Sequence, residues 1–141
     1  MMKKNCQRGS SIIELLIVLV VVSVIAAIAI PHLQKGIRAA ENGNTFATMR
    51  TISSAQMGYY QANGRFGRLT EINNVMSNSI GTPFGNELHR GKFVLAMVPA
   101  APTDPELRIG YTITATRDVT GEGVVYVYEL TQSGEIRQVL P

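Results

Sequence analysis

Residues 12–30 read IIELLIVLVVVSVIAAIAI, and this apolar stretch decides how the chain is organised. It contains one charged residue, Glu14, and one hydroxyl, that of Ser23. Extended back to Ser11 it has 20 residues. As an α-helix it measures about 30 Å, the thickness of the hydrocarbon core of a bilayer. The sequence therefore predicts one membrane-spanning helix near this end of the chain.

Basic residues cluster in front of the apolar stretch, at Lys3, Lys4 and Arg8. Such clusters stay on the cytoplasmic side, so we expect a cytoplasmic N-terminus and an exported remainder. The chain has 13 basic and 10 acidic residues, and without these three it has 10 of each. The positive charge thus belongs to the N-terminus rather than to a binding surface, and we expect no nucleic-acid partner.

Three mechanisms can use the apolar stretch. It fits a secretory signal peptide, with Ala27 and Ala29 in the A-x-A spacing of a cleavage site, and it also fits a permanent single-pass anchor. Neither mechanism gives Glu14 a role. A carboxylate at full depth in a bilayer costs roughly 2.5–3.5 kcal/mol, and less near the interface, so its presence indicates a function.

The third mechanism follows from a resemblance. The run KKNCQRGSSIIELLIVLVVVSVIAAIAIP, residues 3–31, resembles the N-terminus of type IV prepilins and of the pseudopilins of type II secretion. The resemblance implies that a prepilin peptidase cuts after Gly9 and methylates the new amine of Ser10. It also implies that Glu14, the fifth residue after the cut, acts in assembly and that Pro31 kinks the helix. Ser10 departs from the phenylalanine usual in the family, which bears on methylation more than on cleavage.

These observations divide the chain into three parts. Residues 1–9 are a basic leader that is removed, and residues 10–31 are a hydrophobic helix that spans the membrane or forms a filament core. Residues 32–141 are a periplasmic or extracellular α+β domain, made of the rest of the helix, a connector over 63–92 and a β-meander over 93–141.

The helix continues beyond the apolar stretch with a period of three to four residues. Its apolar positions are Phe46, Met49, Ile52, Ala55 and Tyr59. This pattern predicts an amphipathic helix to about residue 62, which the Asn63-Gly64 pair ends.

The connector is rich in Gly, Asn and Ser, and it carries one short predicted helix over 71–76. Thr70 is the predicted cap and Leu69 the hydrophobic staple. We expect one side of this helix to present Ile72, Val75 and Met76.

Alternation with period two predicts the strands. Phe93–Val98 is one, Ile136–Leu140 is another, and two longer ones carry apolar residues at alternate positions: Ile109, Tyr111, Ile113 and Ala115, then Val124, Tyr126, Tyr128 and Leu130. A long helix on three or four antiparallel strands is an α+β fold, and the resemblance implies the same pilin-like architecture.

No catalytic or metal-binding set emerges from the sequence, so we expect neither an enzyme nor a cofactor. Cys6 is the one cysteine, and the histidines, His32 and His89, have no partners at ligand spacing. Asp118 and Glu122 flank a glycine turn, and some pseudopilins bind calcium in a loop of this kind. Calcium prefers six or more oxygen ligands, so a solvated turn is the favoured interpretation.

A second group of residues could serve nucleic acid, because basic and aromatic side chains interleave near the connector. The basic members are Arg65, Arg68, Arg90 and Lys92, and the aromatic members are Phe66, Phe84 and Phe93. Phosphate binding normally needs more charges on one face, so a solvated loop is favoured here as well.

Formal charge also differs along the exported part. Residues 32–92 sum to +4 and residues 93–141 to −3. Opposite charges on different faces suit head-to-tail stacking into an open helical polymer.

The sequence thus predicts a structural subunit of a homo-oligomeric, type IV pilus-like filament. Its partners are the prepilin peptidase and an inner-membrane assembly platform. It resides in the bacterial inner membrane before it enters a periplasmic or extracellular filament. One alternative is the major pseudopilin of a type II secretion system. An alternative of another class is an exported binding domain behind an ordinary signal peptide or anchor.

Overall fold

The computed structural model describes residues 11–119 and 124–140. The chain divides into two compact units, with the boundary between Glu41 and Asn42. Helix α1 runs Ile12–Asn63 and contributes residues to both units. Its predicted end is confirmed, because the next residue, Gly64, has φ +68°, a conformation that glycine adopts most readily.

The described part of the first unit is helical from Ile12 onward. Its large apolar side chains are exposed, from Ile12 at 79% to Ile37 at 48%. Within this single chain, the described part of the first unit, residues 11–41, therefore has no buried apolar core of its own.

The second unit contains a six-stranded sheet in which every neighbouring pair is antiparallel. In sheet order and in chain order the strands are β1 (Thr82–Phe84), β2 (Glu87–Arg90), β3 (Phe93–Met97), β4 (Thr112–Val119), β5 (Val124–Thr131) and β6 (Ile136–Leu140). The predicted α+β class, with a long helix on an antiparallel sheet, is confirmed. The predicted number of three or four strands is too low.

The two missed strands, β1 and β2, lie inside the predicted connector over 63–92. They are short, and the glycines that suggested a loop form their turns. Gly85 (φ +61°) lies between β1 and β2, and Gly91 (φ +59°) lies between β2 and β3. Positive φ at such positions is typical of tight hairpin turns.

The amphipathic face of α1 packs into the core of the second unit, as its period predicts. Met49 and Ile52 are fully buried. Phe46, Ala55 and Tyr59 are partly buried against the same core, and the Phe46 ring lies 4.6 Å from that of Tyr128. The core also contains Tyr111, which precedes β4, and from the sheet it takes Leu88, Phe93, Leu95, Met97, Ile113, Ala115, Tyr128 and Leu130.

Helix α2 spans Leu69–Val75, two residues ahead of the predicted start. Arg68, not Thr70, occupies the cap position, and the Arg68 backbone N–H donates to Glu71 Oε2 at 2.7 Å. The carboxylate three residues into the helix thus satisfies the cap donor, so no hydroxyl is needed. Ile72 is buried and Met76 is partly buried against the core, whereas Val75 is 66% exposed, so the prediction that Val75 shares one side of the helix with them is wrong.

A third helix, α3 (Asp104–Ile109), was not predicted. Ile109, expected in a strand, is its last residue and is 84% exposed. The helix starts because Glu106 Oε2 accepts hydrogen bonds from the backbone N–H and the hydroxyl of Thr103, each at 2.7 Å. This capping box outweighs the alternation that begins only at Tyr111.

Candidate functional site

The predicted processing site lies at the start of the chain. Gly9 and Ser10 lie outside the described residues, which begin at Ser11. The Ser11 carbonyl accepts hydrogen bonds from the backbone N–H groups of Glu14 (2.9 Å) and Leu15 (3.2 Å), so the helix is established immediately after the predicted cut. A peptidase that cuts after Gly9 would therefore act close to a helix end.

Glu14 lies in the first turn of α1 and is exposed. This position is next to the positive end of the helix dipole, where a negative charge interacts favourably with the helix. The other polar side chain of the apolar stretch, that of Ser23, needs no partner outside its own helix. The Ser23 hydroxyl donates to the Leu19 carbonyl at 2.7 Å and is thus satisfied inside its own helix.

Pro31 lies within α1, and the helix continues through it. Proline has no N–H and crowds the carbonyl four residues back, so a kink there remains a prediction. Glu14 and Pro31 are 17 residues apart, which is about 25 Å along a helix. The structure therefore does not bring these two predicted residues together.

The apolar stretch meets the requirements of a membrane span by length and composition. Among the described residues, α1 is the one helix that does so, and none of its apolar window is buried. Such a surface needs lipid or other apolar helices around it.

The described residues give no support to the metal sites considered from the sequence. Residues 11–119 and 124–140 contain no group of three or more His, Cys, Asp or Glu side chains close enough to share a metal ion. His32 and His89 are both exposed, as expected of surface histidines. Glu122 and the side chain of Asp118, the pair weighed for calcium, lie outside what the structure describes.

Two of the arginines weighed for nucleic acid, Arg65 and Arg68, form ion pairs inside the domain. Arg65 makes a bidentate pair with Glu71, at 2.8 Å for both bonds, and Arg68 Nη2 lies 2.7 Å from Asp104 Oδ1. The hydrogen bond from Arg65 lowers the pKa of Glu71 to about 2, and the same bond raises the pKa of Arg65. These ion pairs join α2 to the start of α3, and the charges of Arg65 and Arg68 are partnered there.

The aromatic residues of that group differ in burial. Phe66 and Phe93 are buried in the core, whereas Phe84 is 72% exposed beside His89, with the rings 5.3 Å apart. Phe66, Phe84 and Phe93 therefore do not form one exposed aromatic surface.

One buried polar contact was missed from the sequence. Gln56 is fully buried, and its side-chain amide exchanges two hydrogen bonds of 2.8 Å with the backbone of Gly67. It anchors the loop after α1 to the helix. Its position four residues after Ile52 placed it on the packed face, but a glutamine at such a position gives no sign of its partner.

Comparison with known proteins supports the predicted resemblance of the N-terminal segment to prepilins. A family model described as the prokaryotic N-terminal methylation motif matches residues 4–30. This motif is the prepilin signature of type IV pilins and pseudopilins, which are structural proteins, and the predicted resemblance is confirmed. No curated protein and no solved structure matches the chain.

Proposed function

We propose that this chain is a structural subunit of a type IV pilus-like filament. One observation carries the proposal: the methylation motif of residues 4–30 coincides with the exposed apolar stretch of α1, in which Glu14 is the single carboxylate. A signal peptide or a plain anchor accounts for the apolar helix but not for Glu14. A filament subunit accounts for both.

The proposed sequence of events begins in the bacterial inner membrane, with the N-terminus in the cytoplasm. Prepilin peptidase cuts after Gly9 and methylates the amine of Ser10. An assembly platform then moves residues 10–31 from lipid into a bundle of identical helices. Extraction is feasible because neighbouring apolar helices replace lipid as low-dielectric surroundings. The domain over residues 32–141 faces the periplasm or the exterior, and the subunit needs no cofactor.

Glu14 gains a partner in this scheme. The Ser10 amine is a cation at the helix end, one turn away, and in a filament it can meet Glu14 of the preceding subunit. Two opposite charges 4 Å apart attract by about 4 kcal/mol at an effective dielectric near 20. This matches the roughly 2.5–3.5 kcal/mol that a carboxylate costs at full bilayer depth. Pairing within one chain is the competing arrangement and neutralises both groups before assembly.

A second candidate is the major pseudopilin of a type II secretion system. Residues 10–141 contain no cysteine, so the C-terminal disulfide loop of many adhesive pilins cannot form here. Pseudopilins and disulfide-free pilins lack that loop. Deletion of the gene separates the two roles, because loss of surface filaments indicates a pilus and retention of exoproteins in the periplasm indicates secretion.

The test of the proposal is N-terminal sequencing of the processed protein from membranes. A chain that begins at methylated Ser10 supports the filament subunit. A chain that begins at Ile30 identifies a signal peptide, and an uncut chain identifies an anchor.

A further inference from the structure

Phe84 is an aromatic side chain that the domain exposes rather than buries. It lies in β1 and is 72% exposed, whereas Phe66 and Phe93 lie in the core. It directly precedes Gly85 in the turn of the β1–β2 hairpin, and its ring lies 5.3 Å from that of His89 on the neighbouring strand. The hairpin thus presents a large apolar ring to solvent, and aromatic side chains of this kind are enriched at protein–protein interfaces.

An open groove of about 320 Å³ lies where α3 meets the start of β4. Its apolar wall consists of Val98, which is 56% exposed, and Ile109, which is 84% exposed. Thr112, the first residue of β4, and the carboxylate-bearing Glu106 also line it. A cavity of about 150 Å³ accommodates a benzene molecule, so a phenyl ring fits in this groove.

Phe84 and the groove lie on the same face and at the same end of the sheet. Phe84 is paired with Glu87, and Glu87 alternates with the buried Leu88, so both side chains point to the face away from the core. Val98 follows the buried Met97 and is therefore also on this outer face. Because the strands are antiparallel, the β1–β2 turn, the end of β3 and the start of β4 share one end of the sheet.

At this end of the sheet, the ring and the groove occupy different sides of the domain. Strand β1 is an edge strand, whereas the groove extends from the end of β3 to Gln132, after β5. Neighbouring strands are about 4.8 Å apart, so Phe84 in β1 and Thr112 in β4 are separated by about 14 Å across the sheet. A ring on one side and a groove on another, at the same level, suit copies that stand side by side around an axis.

Formal charges beside the ring and beside the groove are complementary. The Glu87 side chain, next to Phe84, is 47% exposed, and its carboxylate lies 3.9 Å from the His89 imidazole, too far for a hydrogen bond. Arg108 precedes the groove residue Ile109, is exposed, and forms no ion pair with any residue in 11–119 or 124–140. A carboxylate beside the ring and a cation beside the groove favour contact between copies.

We propose that Phe84 of one copy inserts into the Val98–Ile109 groove of a neighbouring copy, with Glu87 facing Arg108 of that neighbour. The inference rests on the proposed filament and names a lateral contact between its domains. The contact joins two different surfaces and can repeat without closing, so it fits an open helical polymer.

Exchange of the apolar contact for an ion pair tests the proposal in cells that express the full chain as the sole copy. Phe84→Asp removes the ring and brings a carboxylate towards Glu106, so it should lower filament yield about tenfold, a loss typical of an interface anchor. Ile109→Lys places a cation in the groove and should lower the yield as well. The double variant Phe84→Asp/Ile109→Lys should restore most of the yield, because opposite charges then face each other.

Val75→Asp is the matched control, because Val75 in α2 is 66% exposed and lies outside both surfaces. Alone it should leave filament yield near that of the unaltered chain, and it should not rescue Ile109→Lys. Full yield from both Phe84→Asp and Ile109→Lys, rescue by Val75→Asp, or no recovery in the double variant overturns the proposed contact. Absence of filaments from the unaltered chain overturns the filament proposal itself.

Disulfide trapping measures the geometry independently. Cys6, the chain's one cysteine, is replaced by serine, and Phe84→Cys is combined with Thr112→Cys. Within one chain these positions are about 14 Å apart, beyond the roughly 7 Å that a disulfide spans between Cα atoms, so the bond forms only between copies. Oxidised filaments should show a ladder of covalent multimers, whereas Val75→Cys with Thr112→Cys should stay monomeric. Dimers alone would indicate a two-fold contact and, like filaments without a cross-link, would contradict the proposed one.

Discussion

Glu14 is the residue on which we expect assembly to depend most, because it is the one ionisable group in residues 12–30. Glu14→Val removes the partner of the Ser10 amine and makes membrane insertion easier. We expect normal insertion and trimming after Gly9 but a severe loss of filaments. Electron microscopy and immunoblots of the membrane fraction measure the two effects separately.

Ser23→Val is the matched control for Glu14→Val. It removes a polar group from the same apolar stretch, but one that is satisfied by the Leu19 carbonyl of its own helix. Filament yield should therefore be retained. Abundant filaments from a Glu14→Val subunit expressed as the sole copy would show that assembly does not need Glu14.

The Arg65–Glu71 pair makes the stability of the α+β domain depend on pH. The pKa of Glu71 is about 2 in the folded domain against an ordinary value of 4.5. Because the folded value is the lower one, the stabilisation is complete above about pH 4.5 and is lost as pH falls towards 2. Screening at this partly exposed site limits it to about 1 kcal/mol.

Thermal unfolding of residues 32–141 at several pH values measures this contribution. Glu71→Gln should lower the free energy of unfolding by about 1 kcal/mol at pH 7 and should weaken its dependence on pH below 4.5. Glu135→Gln, at a side chain that is 62% exposed, is the control and should change little. If the free energy of unfolding of the Glu71→Gln domain falls below pH 4.5 as steeply as that of the unaltered domain, the pair does not stabilise the fold.

At the scale of elements, long periodic patterns predicted helices and strands correctly, whereas elements that depend on short turns or on capping hydrogen bonds were missed. The three-to-four-residue spacing of Met49, Ile52 and their neighbours predicted the packed face of α1 correctly, and alternation from Tyr111 onward predicted β4. The β1–β2 hairpin was missed because three- and four-residue strands give too little alternation to outweigh their glycines. Helix α3 was missed although Thr103 and Glu106 show the capping-box spacing, because Ile109 extended the alternation of the next strand by one step.

The packed face of α1 predicts which helix substitutions unfold the domain. We expect residues 32–141, without the apolar stretch, to be a soluble monomer that unfolds cooperatively. Ile52 is fully buried, so Ile52→Ala should cost about 2–5 kcal/mol through lost burial and the cavity left behind. Chemical denaturation measures the change.

Met57 supplies the control on the same helix. Its side chain is 51% exposed, so Met57→Ala should change the free energy of unfolding by no more than about 0.5 kcal/mol. Equal losses in Ile52→Ala and Met57→Ala would show that the packed face of α1 is assigned wrongly.

At the scale of the whole molecule, a site is predictable from sequence when it is continuous in the chain. The cleavage and methylation residues, Gly9 and Ser10, and the nearby Glu14 fall within one short run, so spacing alone relates them. By contrast, an open groove lined by Glu106, Ile109 and Gln132 is assembled from α3, the start of β4 and the turn after β5. Its geometry depends on a helix that was missed, and no linear pattern joins these segments.

Removal of the leader changes the charge of the whole chain, and this separates the three mechanisms in one measurement. The unprocessed chain has 13 basic and 10 acidic residues, a formal charge of +3, which an anchor would keep. A cut after Gly9 removes Lys3, Lys4 and Arg8 and leaves 10 of each, a charge of 0. A signal-peptide cut before Ile30 also removes Glu14, which leaves 10 against 9, a charge of +1.

Isoelectric focusing of the membrane fraction should therefore show the form with charge 0, still membrane-bound, since methylation of the Ser10 amine leaves its charge unchanged. Gly9→Val is the control: a side chain at the cut crowds the peptidase, so this variant should stay at +3 and full length. A processed form at +1 that has left the membrane would identify a signal peptide. Normal trimming of Gly9→Val would show that the cut does not depend on Gly9, and the prepilin mechanism would lose its main support.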